Sequence, residues 1–203
     1  MDWWNTFVIV LLLFLAVIGL ALPFIKLKKG SSKDVGLLLD HLQNMGIYAS
    51  LLEVDKKAGG RGARRASMER CQGAIKIGGR NIDLINVVSK ATPFGERLFV
   101  DYSVRTGLWL GKTSRKKTGL VRKGALGVLG GGGDIEWKGD EWLCQELNYD
   151  PRLKDKLGQA EMEGSISILP GGEYAKVRVA YQLPSAGLFE VIDIIAGHIR
   201  SIW

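Results

Sequence analysis

Cysteine and histidine are scarce in these 203 residues: Cys71, Cys144, His41 and His198 stand far apart, and no Cys-x-x-Cys occurs. Two distant cysteines do not make a disulfide framework. A zinc site would need all four residues to converge from distant segments, whereas real sites show closely paired ligands. The cysteines therefore read as ordinary thiols and the histidines as solvated imidazoles; no metal and no cofactor is expected. A nucleotide-binding glycine loop is missing as well. The most glycine-dense run, 124–133, has its lysines in front and Asp134-Ile-Glu-Trp behind. A phosphate loop instead sits between a strand and a helix, with a Lys-Ser/Thr pair or a following acidic residue. The run reads as a connector, because glycine maximises chain entropy.

Charge is also absent, over one long stretch. Between Asp2 and Lys26 no side chain is charged, and Asn5 to Ile25 reads NTFVIVLLLFLAVIGLALPFI. At 1.5 Å per helical residue, about 20 such residues span the roughly 30 Å hydrocarbon core of a bilayer, so a transmembrane helix is expected. A cleaved secretory signal would begin with positive charge and carry a shorter apolar run, and Met-Asp-Trp-Trp has no Lys or Arg. Lys26, Lys28, Lys29 and Lys33 crowd one end of the stretch and only Asp2 the other, which makes the carboxyl side cytoplasmic. The expected location is the cell membrane, single-pass, with the amino terminus outside. Trp3 and Trp4 fall where an aromatic belt meets the outer interface, and Lys26, Lys28 and Lys29 where cations meet lipid headgroups. No polar residue lines a pathway through the span, while Gly19 and Ala21 allow a neighbouring helix to approach closely.

Of the net charge of +7, the juxtamembrane lysines and Asp2 account for +3, leaving 24 basic and 20 acidic residues for the rest of the chain. That balance is ordinary, and a nucleic-acid partner is not expected without clustering on one face. The organisation expected is an anchor with its basic flank over 1–29, a linker over 30–33 and one globular domain over 34–203. Two stretches in that domain, 55–70 and 112–133, read as flexible: both are basic, and both are rich in glycine.

Beyond the linker, helical and strand patterns alternate. Val35, Leu38, Leu42 and Met45 repeat at helical spacing, with Ser31 or Ser32 to cap the segment and Gly46 to close it. Ile47 to Val54 comes next as an apolar strand. Gly73-Ala-Ile-Lys-Ile, Gly78-Gly79 and Arg80-Asn-Ile-Asp-Leu predict a hairpin with a two-residue turn. Leu98 to Arg105 alternates, which sends Leu98, Val100, Tyr102 and Val104 inward and Asp101, Ser103 and Arg105 outward. Leu108 to Leu110 adds a short strand, and Trp142 to Leu147 fits helix or strand. Asp150-Pro151 opens a helix carrying Leu153 and Leu157. A second hairpin turns at Pro170-Gly171-Gly172, and echoes the first in its Gly-x-Ile-x-Ile lead; shared hairpin chemistry explains the echo better than duplication. Ala186 to Trp203 closes the chain as a helix whose apolar face, widened by Phe189 and Ile194, exceeds what one sheet needs. The expected fold is α+β: one transmembrane helix, then a cytoplasmic domain of antiparallel hairpins and an amphipathic to apolar carboxyl-terminal helix.

Three functions are compatible with these features, in descending order. The first is a non-enzymatic accessory or assembly subunit of a larger membrane complex, docking through the transmembrane helix and the carboxyl-terminal helix, with Trp137, Trp142 and Trp203 as candidate protein contacts. The second is a membrane-tethered module for an anionic ligand, a lipid headgroup, nucleotide or nucleic acid, held by Arg61, Arg64, Arg65, Arg115, Lys116 and Lys117. The third is an enzyme using Asp134, Glu136 and Asp140, near Glu141, for acid-base or metal work; their spacing matches no calcium loop.

Overall fold

A computed structural model of the chain describes residues 32–52, 69–93, 95–107, 115–123 and 134–203. The expected membrane span and its flanking Trp3, Trp4, Lys26, Lys28 and Lys29 lie outside the described residues, as do Arg61, Arg64, Arg65 and Leu108 to Leu110. None of the described helices is long and apolar enough to cross a membrane.

The first helix, α1 (Ser32–Asn44), takes in Ser32 and Lys33, which the sequence assigns to a linker. Val35, Leu38 and Leu42 recur every three or four residues and are buried, so one stripe of the helix packs on the sheet. Gly46 closes it at φ +75°, a left-handed conformation that glycine adopts without a Cβ clash. Strand β1 (Ala49–Leu52) starts two residues later than expected. Then β2 (Glu69–Ile77), β3 (Leu84–Thr92) and β4 (Gly95–Arg105) form an antiparallel meander, followed by the hairpin of β5 (Thr118–Lys123) and β6 (Asp134–Lys138). Helices α2 (Glu141–Tyr149) and α3 (Pro151–Gln159) come next, then β7 (Ser167–Leu169), β8 (Tyr174–Ala180) and the closing α4 (Ala186–Ile202). All pairings are antiparallel, and the eight strands lie in the order β1-β2-β3-β4-β8-β7-β5-β6. The α+β class is thus established.

Several expected boundaries are corrected. Glu69 and Arg70 belong to β2, and Thr118 to Lys123 to β5, so both stretches expected to be flexible give residues to the sheet. Trp142 to Leu147 is helical. The first hairpin does not turn on two residues, because Arg80 to Asp83 are not strand and β3 starts at Leu84. The connection is pinned to α4 instead: Asn81 N–H donates to Asp193 Oδ1 at 2.8 Å, the Asn81 amide donates to the Asp193 carbonyl at 3.1 Å, and Ile82 is buried. Arg200 adds a bond to the Asn81 carbonyl and an ion pair with Asp83.

The broad apolar face of α4 is buried on two sides. One side meets β4 and β8, where the Phe189 and Tyr102 rings stand edge to face at 6.4 Å. The other meets α2 and α3, whose Leu143, Leu147, Leu153 and Leu157 join the same core. Burying seven apolar residues of α4 removes enough area from water, at roughly 25 cal/mol per Å², to make this helix the centre of the hydrophobic core.

Candidate functional site

Alternation along β4 and β8 fixes which residues face away from the helices. Val100, Tyr102, Val104, Val177 and Val179 point into the core, so Asp101, Ser103, Lys176 and Arg178 point to the opposite face. The sequence expects Asp101 and Ser103 to face outward. They are outward but buried, Asp101 to 0% exposure, because polar partners fold over them. The Asn86 amide donates to Ser103 Oγ at 3.0 Å, and the Arg178 guanidinium covers Asp101.

Arg178 and Asp101 are direct cross-strand partners. Arg178 Nε donates to Asp101 Oδ1 at 2.6 Å and Nη2 to Oδ2 at 2.8 Å, a two-pronged pair. Its outer edge serves a second carboxylate, with Nη1 2.8 Å from Glu69 Oε1 and Nη2 3.0 Å from Oε2. Glu69 opens β2, so this one guanidinium ties β8 and β4 to a strand beyond β3. It also lies over the Phe99 ring, 5.3 Å from the centroid. Lys90, opposite Glu69 on β3, brings Nζ to 3.5 Å from Glu69 Oε1. Hydrogen bonds from Arg178, aided by the charges of Arg178 and Lys90, hold the Glu69 carboxyl down to about 2, against burial, which works the other way. The same bonds, to Asp101 first and Glu69 second, push the Arg178 guanidinium further up.

Above this network opens a cleft of about 330 Å³, lined by Glu69, Lys90, Phe99, Lys117, Ser165, Ser167 and Arg178 among others. Both edges of Arg178 are occupied and both carboxylates are locked to it. A ligand there would meet Lys90, itself 3.5 Å from Glu69, together with Lys117 and the two serines. Such a set can bind and orient an anion.

Of the expected cationic contacts that are described, Lys117 reaches this cleft and Lys116 is exposed, with its backbone N–H on Asp140. Arg115 is turned inward: its guanidinium stacks on the Trp203 ring at 5.2 Å and donates to the Trp203 carbonyl, and burial lowers its pKa. The candidate tryptophans also divide. Trp137 is 3% exposed, its backbone clasped by the Asn148 side chain at 2.8 and 3.2 Å, and Trp203 is 7% exposed. Both are core residues, whereas Trp142 is 73% exposed and Tyr149, unforeseen from sequence, is 80% exposed. Two of the acidic residues have local partners. Asp140 caps α2 through the Leu143 N–H at 3.2 Å, and Glu136 lies 3.6 Å from Lys138 Nζ. Among the described residues no three His, Cys, Asp or Glu side chains gather as metal ligands. His41 is not simply solvated, since its Nε2 lies 2.8 Å from the Pro184 carbonyl.

Comparison of the chain with protein-family models, with curated proteins and with solved structures finds no match.

Sequence reasoning misses Glu69, Lys90, Asp101 and Arg178 as a set. One signal for it does exist: opposite charges at the centre of strongly apolar alternating strands, as in Phe-Val-Asp-Tyr and Lys-Val-Arg-Val, are expensive to place there unless they pair.

Proposed function

We propose that this protein is a non-enzymatic, single-span membrane accessory subunit. It is anchored by Asn5 to Ile25, and its head faces the cytoplasm and docks onto another membrane-protein subunit. The observation that supports this most directly is the outward face of α2. Trp142 and Tyr149 are separated by seven residues, nearly two full helical turns, so they share a face. Leu143 and Leu147, about a third of a turn away, seat the helix in the core. A solvent-facing Trp and Tyr pair on one helix face is the kind of anchor that dominates protein interfaces, and its exposure costs an isolated domain apolar area in water. A tether in the same membrane as the partner raises the local concentration of the two, so a modest contact face suffices.

A photo-crosslinking residue placed at position 142 or 149 tests this in membranes. Discrete adducts to other membrane proteins are expected at both positions and none at Lys76, exposed on β2. Equal, diffuse labelling from all three positions would refute it. The second role, a tethered module for an anionic ligand, retains one observation in its favour: Lys117 sits with Lys90 and Arg178 at the same cleft.

A further inference from the structure

We infer that the cleft over Phe99 is a binding site for a phosphate monoester. Its volume, about 330 Å³, lies at the small end of the roughly 300–1,000 Å³ typical of ligand sites, enough for a phosphate on a small organic body. The lining brings Lys90 from β3, Lys117 from the segment just before β5, Ser165 from the segment before β7 and Ser167 from its first position to one opening. Two ammoniums and two hydroxyls suit a tetrahedral dianion, which carries about −1.5 to −2 charge near pH 7 and accepts from several directions. A planar carboxylate is the poorer fit. Its natural partner is the fork of a guanidinium, and the Arg178 fork is already filled on both edges by Asp101 and Glu69. Phe99 and Leu169 supply apolar wall for the organic part.

Glu69 is the competitor built into the site. Its carboxylate draws on Lys90 at 3.5 Å and repels an arriving dianion. Neutralising Glu69 should therefore tighten binding, an effect opposite to that of losing a lysine. The site is independent of the docking face of α2, so a failed phosphate titration leaves the crosslinking test untouched, and the reverse holds too.

The full chain in phosphatidylcholine nanodiscs should be titrated with glycerol 3-phosphate. In a parallel arm, nanodiscs doped with phosphatidic acid, whose headgroup is a phosphate monoester, are compared with nanodiscs doped with phosphatidylglycerol, a diester. Saturable binding is expected in at least one arm: the soluble ester identifies a free ligand, and phosphatidic acid alone identifies a headgroup. Lys90→Gln with Lys117→Gln should weaken it at least tenfold, Glu69→Gln should strengthen it several-fold, and Lys76→Gln should leave it unchanged. Ser165→Ala, at an exposed position outside any strand, gives a second and smaller loss without risk to the fold. No saturation in either arm, or a double-lysine variant that is folded by circular dichroism and binds as the parent does, would overturn the assignment.

Discussion

Strands β4 and β8 present Val100, Tyr102, Val104, Val177 and Val179 to the helices, and Asp101, Ser103, Lys176 and Arg178 to the other side. The helix side is closed by non-directional burial, in which many contacts share the energy and similar side chains can replace one another. The other side buries Asp101 and most of Arg178 in a directional network, where each group depends on a particular partner. A network of this kind adds little net stability over an apolar equivalent but makes any half-finished version costly. The two faces of one sheet therefore should respond differently to the same kind of substitution.

The largest contrast is expected at Asp101. Asp101→Ala leaves the Arg178 guanidinium with only Glu69 in a mostly buried place, and should cost about 3–5 kcal/mol in urea denaturation. Replacing the whole network, Asp101→Leu with Arg178→Met and Glu69→Gln, should recover most of that loss. A small effect of Asp101→Ala would mean that water reaches the pair, and the distinction between the faces would dissolve.

Acid titration gives the next effect. Glu69 is held below its ordinary value of 4.5, at about 2, in the folded state. Its contribution is therefore complete above about pH 4.5 and is lost as pH falls toward 2. By linkage, the ionised carboxylate favours the folded state over that window. Stability measured from pH 6 to pH 2 should decline over that window, and Glu69→Gln should flatten the decline. An unchanged acid limb in the variant would place the coupling elsewhere.

The smallest effect probes the helix side. The Tyr102 hydroxyl is fully buried and has no hydrogen-bond partner among the described residues, and burial pushes its pKa up. Removing it sacrifices no bond, so Tyr102→Phe should leave stability unchanged or raise it by up to about 1 kcal/mol. A loss of 2 kcal/mol or more would show that this face, too, relies on a specific polar contact.

The difference between the faces also explains what can be read from the sequence. Period-2 and period-3.6 apolar patterns report burial against the core, so α1, β4, β8, α4 and the Asp150-Pro151 start of α3 are legible in the chain. Asp150 does accept from the Leu153 N–H at 3.1 Å, as a helix cap should. Polar partnerships between residues far apart in sequence leave no such period. Arg178 meets Glu69 across 109 positions, and Asn81 meets Asp193 across 112. The second of these pairs pulls Arg80 to Asp83 out of the strand that alternation predicts. The tryptophans do not behave as a group for a related reason: composition marks them as large and amphipathic, and only tertiary packing decides that Trp137 and Trp203 go inside while Trp142 stays out. Likewise, Arg115 looks like its neighbours Lys116 and Lys117 until the carboxyl-terminal Trp203 takes it.

The docking role is tested most directly by the native mass of the protein after gentle solubilisation from its own membrane. A subunit should elute in a particle well above the 22.3 kDa of the chain plus its detergent, with defined co-purifying proteins. Trp142→Ser with Tyr149→Ser should release it from that particle while leaving it folded. A monodisperse monomer from the native membrane, or a complex indifferent to both substitutions, would contradict the role.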